Sequence, residues 1–122
     1  MATGVPIIAT APPVEFDGPG DQWSPEVLLC AAVADCFILT FRSMARASKL
    51  EWLQLECRVE GKLERTAKGV QFTHFITYAD LKVSAGSEIE QTKRLLEKAE
   101  HGCLIANSLN GTRTLETHIV TQ

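Results

Sequence analysis

Residues 27–41 constrain this chain more than any other stretch, because only Asp35 and Thr40 interrupt an otherwise apolar run. Ser24 and Pro25 stand ahead of it as a helix start signal: a hydroxyl N-cap, then proline at the first helical position, where a missing N–H costs nothing. An amphipathic surface helix shows a polar face at every turn. This one does not, so the pattern predicts a core helix within residues 24–48, wrapped on nearly all sides. Ala31, Ala32 and Ala34 permit close backbone approach, while Arg42, Arg46 and Lys49 return the chain to water and suit the negative end of the helix dipole. A chain of 122 residues makes one domain, whose own sheet can cover one side of such a helix. A second copy is therefore expected to cover the other.

The apolar run falls short of the ~20 residues that span a bilayer, and it carries Asp35. Residues 1–14 contain no lysine or arginine and several prolines, unlike a secretory signal. A soluble cytoplasmic protein is expected, with no membrane partner. The net charge of −3 without a basic cluster argues against nucleic acid.

Around the helix the chain divides readily. Residues 1–23 form a Pro/Gly-marked arm in which residues 5–9 suit a short edge strand. Residues 53–64 alternate with period two, placing Leu53, Leu55, Cys57, Val59 and Leu63 on one face. A turn at Ala67, Lys68 and Gly69 leads into residues 70–83, and together these read as a long hairpin. In the second strand Phe72, Ile76 and Tyr78 share one parity and Phe75, Leu81 and Val83 the other, which calls for a bulge or two-sided burial. Ser87 and Glu90 read as a capping box opening a second helix. Gly102 stops it, residues 103–109 read as a short third helix, and residues 113–121 as a last strand. The fold class is α+β, in a single domain over residues 1–122.

Four cysteines, Cys30, Cys36, Cys57 and Cys103, are too few for a secreted disulfide scaffold. Cys30 and Cys36 are ~120° from eclipsed on a helix and cannot bridge each other there. Cys57 follows the inward register of its strand. Cys36 lies ~18 Å from its helix N-terminus, so that dipole cannot activate it; apolar surroundings raise a thiol, and reactivity needs a cation or donors from elsewhere. Cys103 opens a short helix, where free N–H groups favour a thiolate. By position alone the ordinary reading of both is a buried core cysteine. There is no Cys-x-x-Cys, and only His101 lies near a thiol, so neither a metal nor another cofactor is expected.

Ser-Pro-Glu-x-Leu-Leu-x-Ala-Ala-x-Ala-x-Cys-Phe over residues 24–37, followed by Ala99-Glu100-His101-Gly102-Cys103 with Leu104, Ile105, Asn107, Ser108 and Leu109, resembles the OsmC/Ohr family of thiol-dependent peroxidases. The resemblance covers roughly residues 14–121. It implies an OsmC-like fold, with a long buried central helix wrapped by antiparallel sheet in an intertwined homodimer. It further implies that Cys36 attacks the peroxide O–O bond and becomes a sulfenic acid, that Cys103 resolves it to a disulfide, and that an external dithiol restores both. Glu26 matches the family glutamate that orients an activating arginine; on physical grounds alone it is a first-turn carboxylate favoured by the helix dipole. The family's arginine comes from the N-terminal arm, whereas this chain has none before Arg42. Its second cysteine is often followed by proline, and here Leu104 follows.

The expected activity is reduction of an organic hydroperoxide, in a pocket lined by Leu39, Phe37 and Phe16. The alternative keeps the fold without catalysis, as a dimer holding a small apolar ligand. A thioesterase-type fold, in which a sheet also wraps a long helix, would leave both thiols inert.

Overall fold

The computed structural model describes residues 3–122, so the first two residues of the arm lie outside it. Ser24 is buried and caps the long helix, its Oγ accepting from the Val27 N–H at 3.1 Å. Helix α1 then runs Pro25–Ala47. Lys49 turns the chain back with φ of 57°, and the Leu50 N–H donates to the Ala45 carbonyl at 2.9 Å. Strands β1 (Trp52–Thr66) and β2 (Gly69–Val83) form the long antiparallel hairpin. Helices α2 (Ile89–His101) and α3 (Leu104–Asn107) lead to β3 (Thr112–Thr121).

The sheet order is β1-β2-β3, and β3 pairs with β2 in parallel. The sheet is therefore mixed, which corrects the wholly antiparallel one expected. The reason is the crossover: two strands on the same heading need a connection of a dozen or more residues, and α2 with α3 supply it.

Alternation in β2 changes parity at a bulge, where Lys62 faces His74 but Leu63 faces Phe72. The bulge brings Phe72 to the side of Phe75, and the two rings stack with centroids 5.2 Å apart. A second irregularity lies between Trp52 and Gln54. It turns Trp52 inward, edge-on to Phe41 at 5.5 Å, and leaves Leu53 exposed, contrary to the inward register expected for Leu53. Gly61 is needed where β1 passes under the helix, since a Cβ there would meet the Phe72 ring at 2.7 Å and Cys30 Sγ at 3.0 Å.

Helix α1 buries one stripe, Val33, Phe37, Phe41 and Ala45, at i, i+4 spacing. Phe37, Phe41 and Ala45 close against Ala79, Leu81 and Val83 of β2 and Leu96 and Ala99 of α2. Val27, Ala32 and Leu39 on other faces are exposed. The single chain thus wraps one side of the helix rather than nearly all, because three strands and two helices reach no further. With 23 residues, α1 is long and apolar enough by length and composition to cross a membrane, contrary to the sequence expectation; here its buried stripe serves as a core helix against the sheet.

Two local expectations are corrected. Residues 5–9 form no strand; among its described residues the arm makes an isolated parallel bridge between Thr10 and Trp23 and a 3-10 turn at Val14–Phe16. Helix α2 is capped at Glu88, one residue later than Ser87, without a side-chain cap bond. Thr92, fully buried, instead turns its hydroxyl onto the Glu88 carbonyl at 2.8 Å.

Candidate functional site

The thiols of Cys36 and Cys103 meet where α3 abuts α1. Cys36 stands on α1 one turn before Thr40, and Cys103 is the N-cap of α3. Gly102 sits close against α1: a Cβ there would lie 3.1 Å from the flexible end of Met44, at Cε, and 3.7 Å from Thr40 Cγ2. Around the pair, Val33, Cys103 and Ala106 form a small buried cluster, with Cys36, Val59, Ile105 and Leu109 half-buried against it. All four cysteines are reduced.

The two sulfurs have opposite electrostatics. Burial pushes Cys36 up, but four donors outweigh it: the Ile105 N–H, the Cys103 thiol, the Thr40 hydroxyl and the Leu104 N–H. The net direction is down, toward thiolate. Burial also pushes Cys103 up, and donating to Cys36 pushes it further. The Ala106 N–H and the charge of Arg113 oppose this without overcoming it, so Cys103 remains a thiol. In the structure its thiol donates to the Val33 carbonyl at 3.8 Å.

This reverses one expectation. The first amides of α3 serve Cys36 across the interface rather than favouring a thiolate at Cys103, their own N-cap. The donors that Cys36 needs in place of a cation come from a segment far along the chain.

Cys36 opens on a shallow hollow of ≈ 580 Å³ lined by Ala32, Asp35, Leu39, Thr40, Ser43, Met44 and Ile105. Leu39 lines it as expected. Phe37 does not, because it is 1% exposed and faces the sheet. Phe16 lies on the arm, half exposed, and is not among the lining residues.

Glu26 is not beside the pair. Ten residues of helix separate it from Cys36, ~15 Å at 1.5 Å per residue. Its Oε1 is buried and, among the described residues, has no hydrogen-bond partner. Cys30 lies against Gly61, where burial raises it and the Gly61 backbone opposes. Cys57 is pushed up to about 12, chiefly by burial, with ionisation of Cys103 at high pH adding to it. Among the described residues no group of three or more His, Cys, Asp or Glu side chains is placed to hold a metal ion.

Comparison with known proteins places the chain in a family. Residues 18–118 fit the family model described as OsmC-like protein. The uncharacterized protein YmaD of Bacillus subtilis (strain 168) is 30% identical over 120 residues, spanning 95% of this chain and 79% of that protein. An organic hydroperoxide resistance protein OsmC from Legionella pneumophila superposes with a TM-score of 0.71 at 25% identity, over 88% of this chain and 76% of that one. An organic hydroperoxide resistance protein from Elizabethkingia anophelis gives 0.74 at 19% identity, over 93% and 79%; at that identity the likeness is one of fold. The chain belongs to the OsmC-like protein family.

Proposed function

We propose that the protein is a cytoplasmic, homodimeric thiol peroxidase that reduces organic hydroperoxides. The observation that carries this reading is the placement of Cys36 against Cys103, the first opening on the hollow and lowered toward thiolate, the second buried and kept protonated. In the first step the Cys36 thiolate attacks the outer peroxide oxygen; an S–O bond forms, the O–O bond breaks, and the alkoxide takes a proton from Cys103 and leaves as alcohol. In the second, the Cys103 thiolate attacks the sulfenic sulfur, expelling hydroxide and forming the disulfide. An external dithiol then exchanges with that disulfide, restoring both thiols and becoming oxidised itself. No cofactor enters the cycle.

The apolar faces left open on α1 support a dimer, as does the exposure of Val5, Ile7, Ile8, Phe16 and Trp23 along the arm. Glu26, a helix-length from Cys36 in its own protomer, serves a thiol pair only across such a dimer, its free Oε1 orienting a donor there. Leu39 and Met44 in the hollow favour an alkyl or aryl hydroperoxide over hydrogen peroxide.

Turnover of cumene hydroperoxide with a dithiol reductant tests the reading: wild type is expected to exceed Cys36→Ser by orders of magnitude, and equal rates would sink it. The second reading, a dimer binding a small apolar ligand without chemistry, is favoured by the absence of an arginine before Arg42. Mass spectrometry after mild peroxide treatment separates the two, since only the peroxidase forms a Cys36–Cys103 disulfide.

A further inference from the structure

Arg113 is out of place by pattern. On β3 it shares parity with Leu115 and Ile119, the residues that pack against the main core, so its guanidinium is carried to the core side of the sheet. There every arm of the fork is engaged. Nε donates to Glu100 Oε1 at 2.7 Å, Nη2 to the Glu100 carbonyl at 2.5 Å, and Nη1 to Asn107 Oδ1 at 2.6 Å. Glu100 and Arg113 are both largely buried, with side chains 13% and 24% exposed. The pair is therefore less screened and more exactly oriented than a surface ion pair.

Glu100 and Asn107 bracket the segment that holds the thiol chemistry. The Glu100 carbonyl that accepts from Arg113 also accepts from the Cys103 N–H at 3.3 Å, and the Asn107 N–H returns to the Cys103 carbonyl at 2.9 Å. Asn107 Nδ2 closes the same loop on the His101 carbonyl at 3.0 Å. One side chain from β3 thus ties the last turn of α2 to the last residue of α3, with Cys103, Leu104 and Ile105 between the two ties.

We infer that Arg113 is a positioning residue for the thiol pair: by clamping Glu100 and Asn107 it fixes where the α3 amides and the Cys103 thiol stand against Cys36. The clamp touches no reacting atom; beyond the effect of its charge on Cys103, which Arg113→Lys retains, it acts through α3. A four-residue helix cannot hold its own orientation, since nucleating one turn is unfavourable without tertiary support. The chain lacks an arginine in its arm, and Arg113 makes the amide donors dependable in its place. This rests on the thiol chemistry proposed above, but its test needs no hydroperoxide.

The experiment is iodoacetamide alkylation of the full-length reduced protein across pH, read at each cysteine by mass spectrometry. Arg113→Met, Arg113→Lys and Asn107→Leu are compared with wild type, and Arg58→Met, which removes an exposed cation paired with Glu60, is the control. Arg113→Met is expected to move the Cys36 midpoint to higher pH and slow its alkylation at neutral pH about threefold, leaving Cys30 unchanged. Arg113→Lys, which keeps the charge and loses the fork, should fall between. A folded Arg113→Met whose Cys36 profile overlies wild type overturns the inference, as does slowing of Cys36 and Cys30 by one common factor. Should Arg113→Met fail to fold, Asn107→Leu is read by the same two criteria. A shifted midpoint in a protein that turns over no hydroperoxide supports the clamp and removes the peroxidase.

Discussion

Helix α1 feeds two apolar clusters that differ in how completely they close. Toward its C-terminal end Phe37, Phe41 and Ala45 meet Leu81, Val83, Leu96 and Ala99, all between 0% and 1% exposed. One turn toward the N-terminus Val33 meets only Cys103 and Ala106 as buried partners, and the residues around them, Cys36, Val59, Ile105 and Leu109, stay half-open. The closed cluster has aromatic and aliphatic side chains filling the space between sheet and α2. The open one substitutes two sulfurs, backbone amides and a short helix. The tight packing therefore lies in the C-terminal half of the helix and the looser packing at its middle, where the proposed thiol site needs both access and polar groups that a sealed core does not tolerate.

The largest effect should come from breaking the closed end. Phe41→Ala removes a ring that is 0% exposed and edge-on to Trp52, at a cost of about 3–5 kcal/mol, read as the shift in urea midpoint. If the clusters are separate, folded Phe41→Ala retains the wild-type order of cysteine alkylation. A changed order would show that the two ends act as one unit.

The next largest contrast sets Cys36 against Cys57. Cys57 is held near pH 12 against an ordinary value of 9.0, whereas Cys36 lies below its ordinary value. Cys36 therefore carries the larger thiolate fraction at neutral pH and should alkylate about tenfold faster or more than Cys57. Cys57 also sets a sign for stability. As pH rises from 9 toward 12 the unfolded thiol ionises while the folded one holds its proton, so stability falls in that window. Cys57→Val should flatten the fall, measured by thermal unfolding across pH.

Much of this architecture was legible because it is local. The cap at Ser24, the turn after Thr66, and the parity break that became the bulge opposite Lys62 are each written within a few residues. What was not legible is non-local. The parallel pairing of β3 depends on where the crossover lands, and Leu53 turned outward because the irregularity beside Trp52 follows from packing on Phe41. At the site, the likeness of residues 24–37 and 99–109 to a known family pointed to Cys36 and Cys103. The groups that lower Cys36 were hidden, since the amides of Leu104 and Ile105 become its neighbours only once the fold brings α3 against α1. Arg113 was readable after all: a charged residue in phase with Leu115 and Ile119 needs a buried partner.

Within the open cluster the donors themselves can be removed one at a time. Cys103→Ala deletes the thiol donor, and Cys36 alkylation at neutral pH should slow about threefold; an unchanged rate would mean that the amides alone hold the thiolate. Thr40→Val is nearly isosteric and takes away one hydroxyl, so about a twofold slowing is expected in the same assay, with no change in urea midpoint beyond ~1 kcal/mol.

Leu104→Pro is the finest cut, because it deletes a single N–H and leaves the fold a reason to accept it. Leu104 is the first residue of α3, where proline is favoured. Cys103 before it already has φ of −69° and ψ of 106°, an extended conformation clear of the αR region that a following proline disfavours. Leu104 is also exposed at 69%, so little packing is lost. The Leu104 amide is the weakest of the four donors to Cys36, and its loss should slow alkylation by less than twofold while stability holds or rises slightly. A slowing as large as that of Cys103→Ala would mean that the open cluster depends on the orientation of α3 as a whole rather than on separable donors, and the contrast with the rigid end of α1 would then lie in mobility rather than in chemistry.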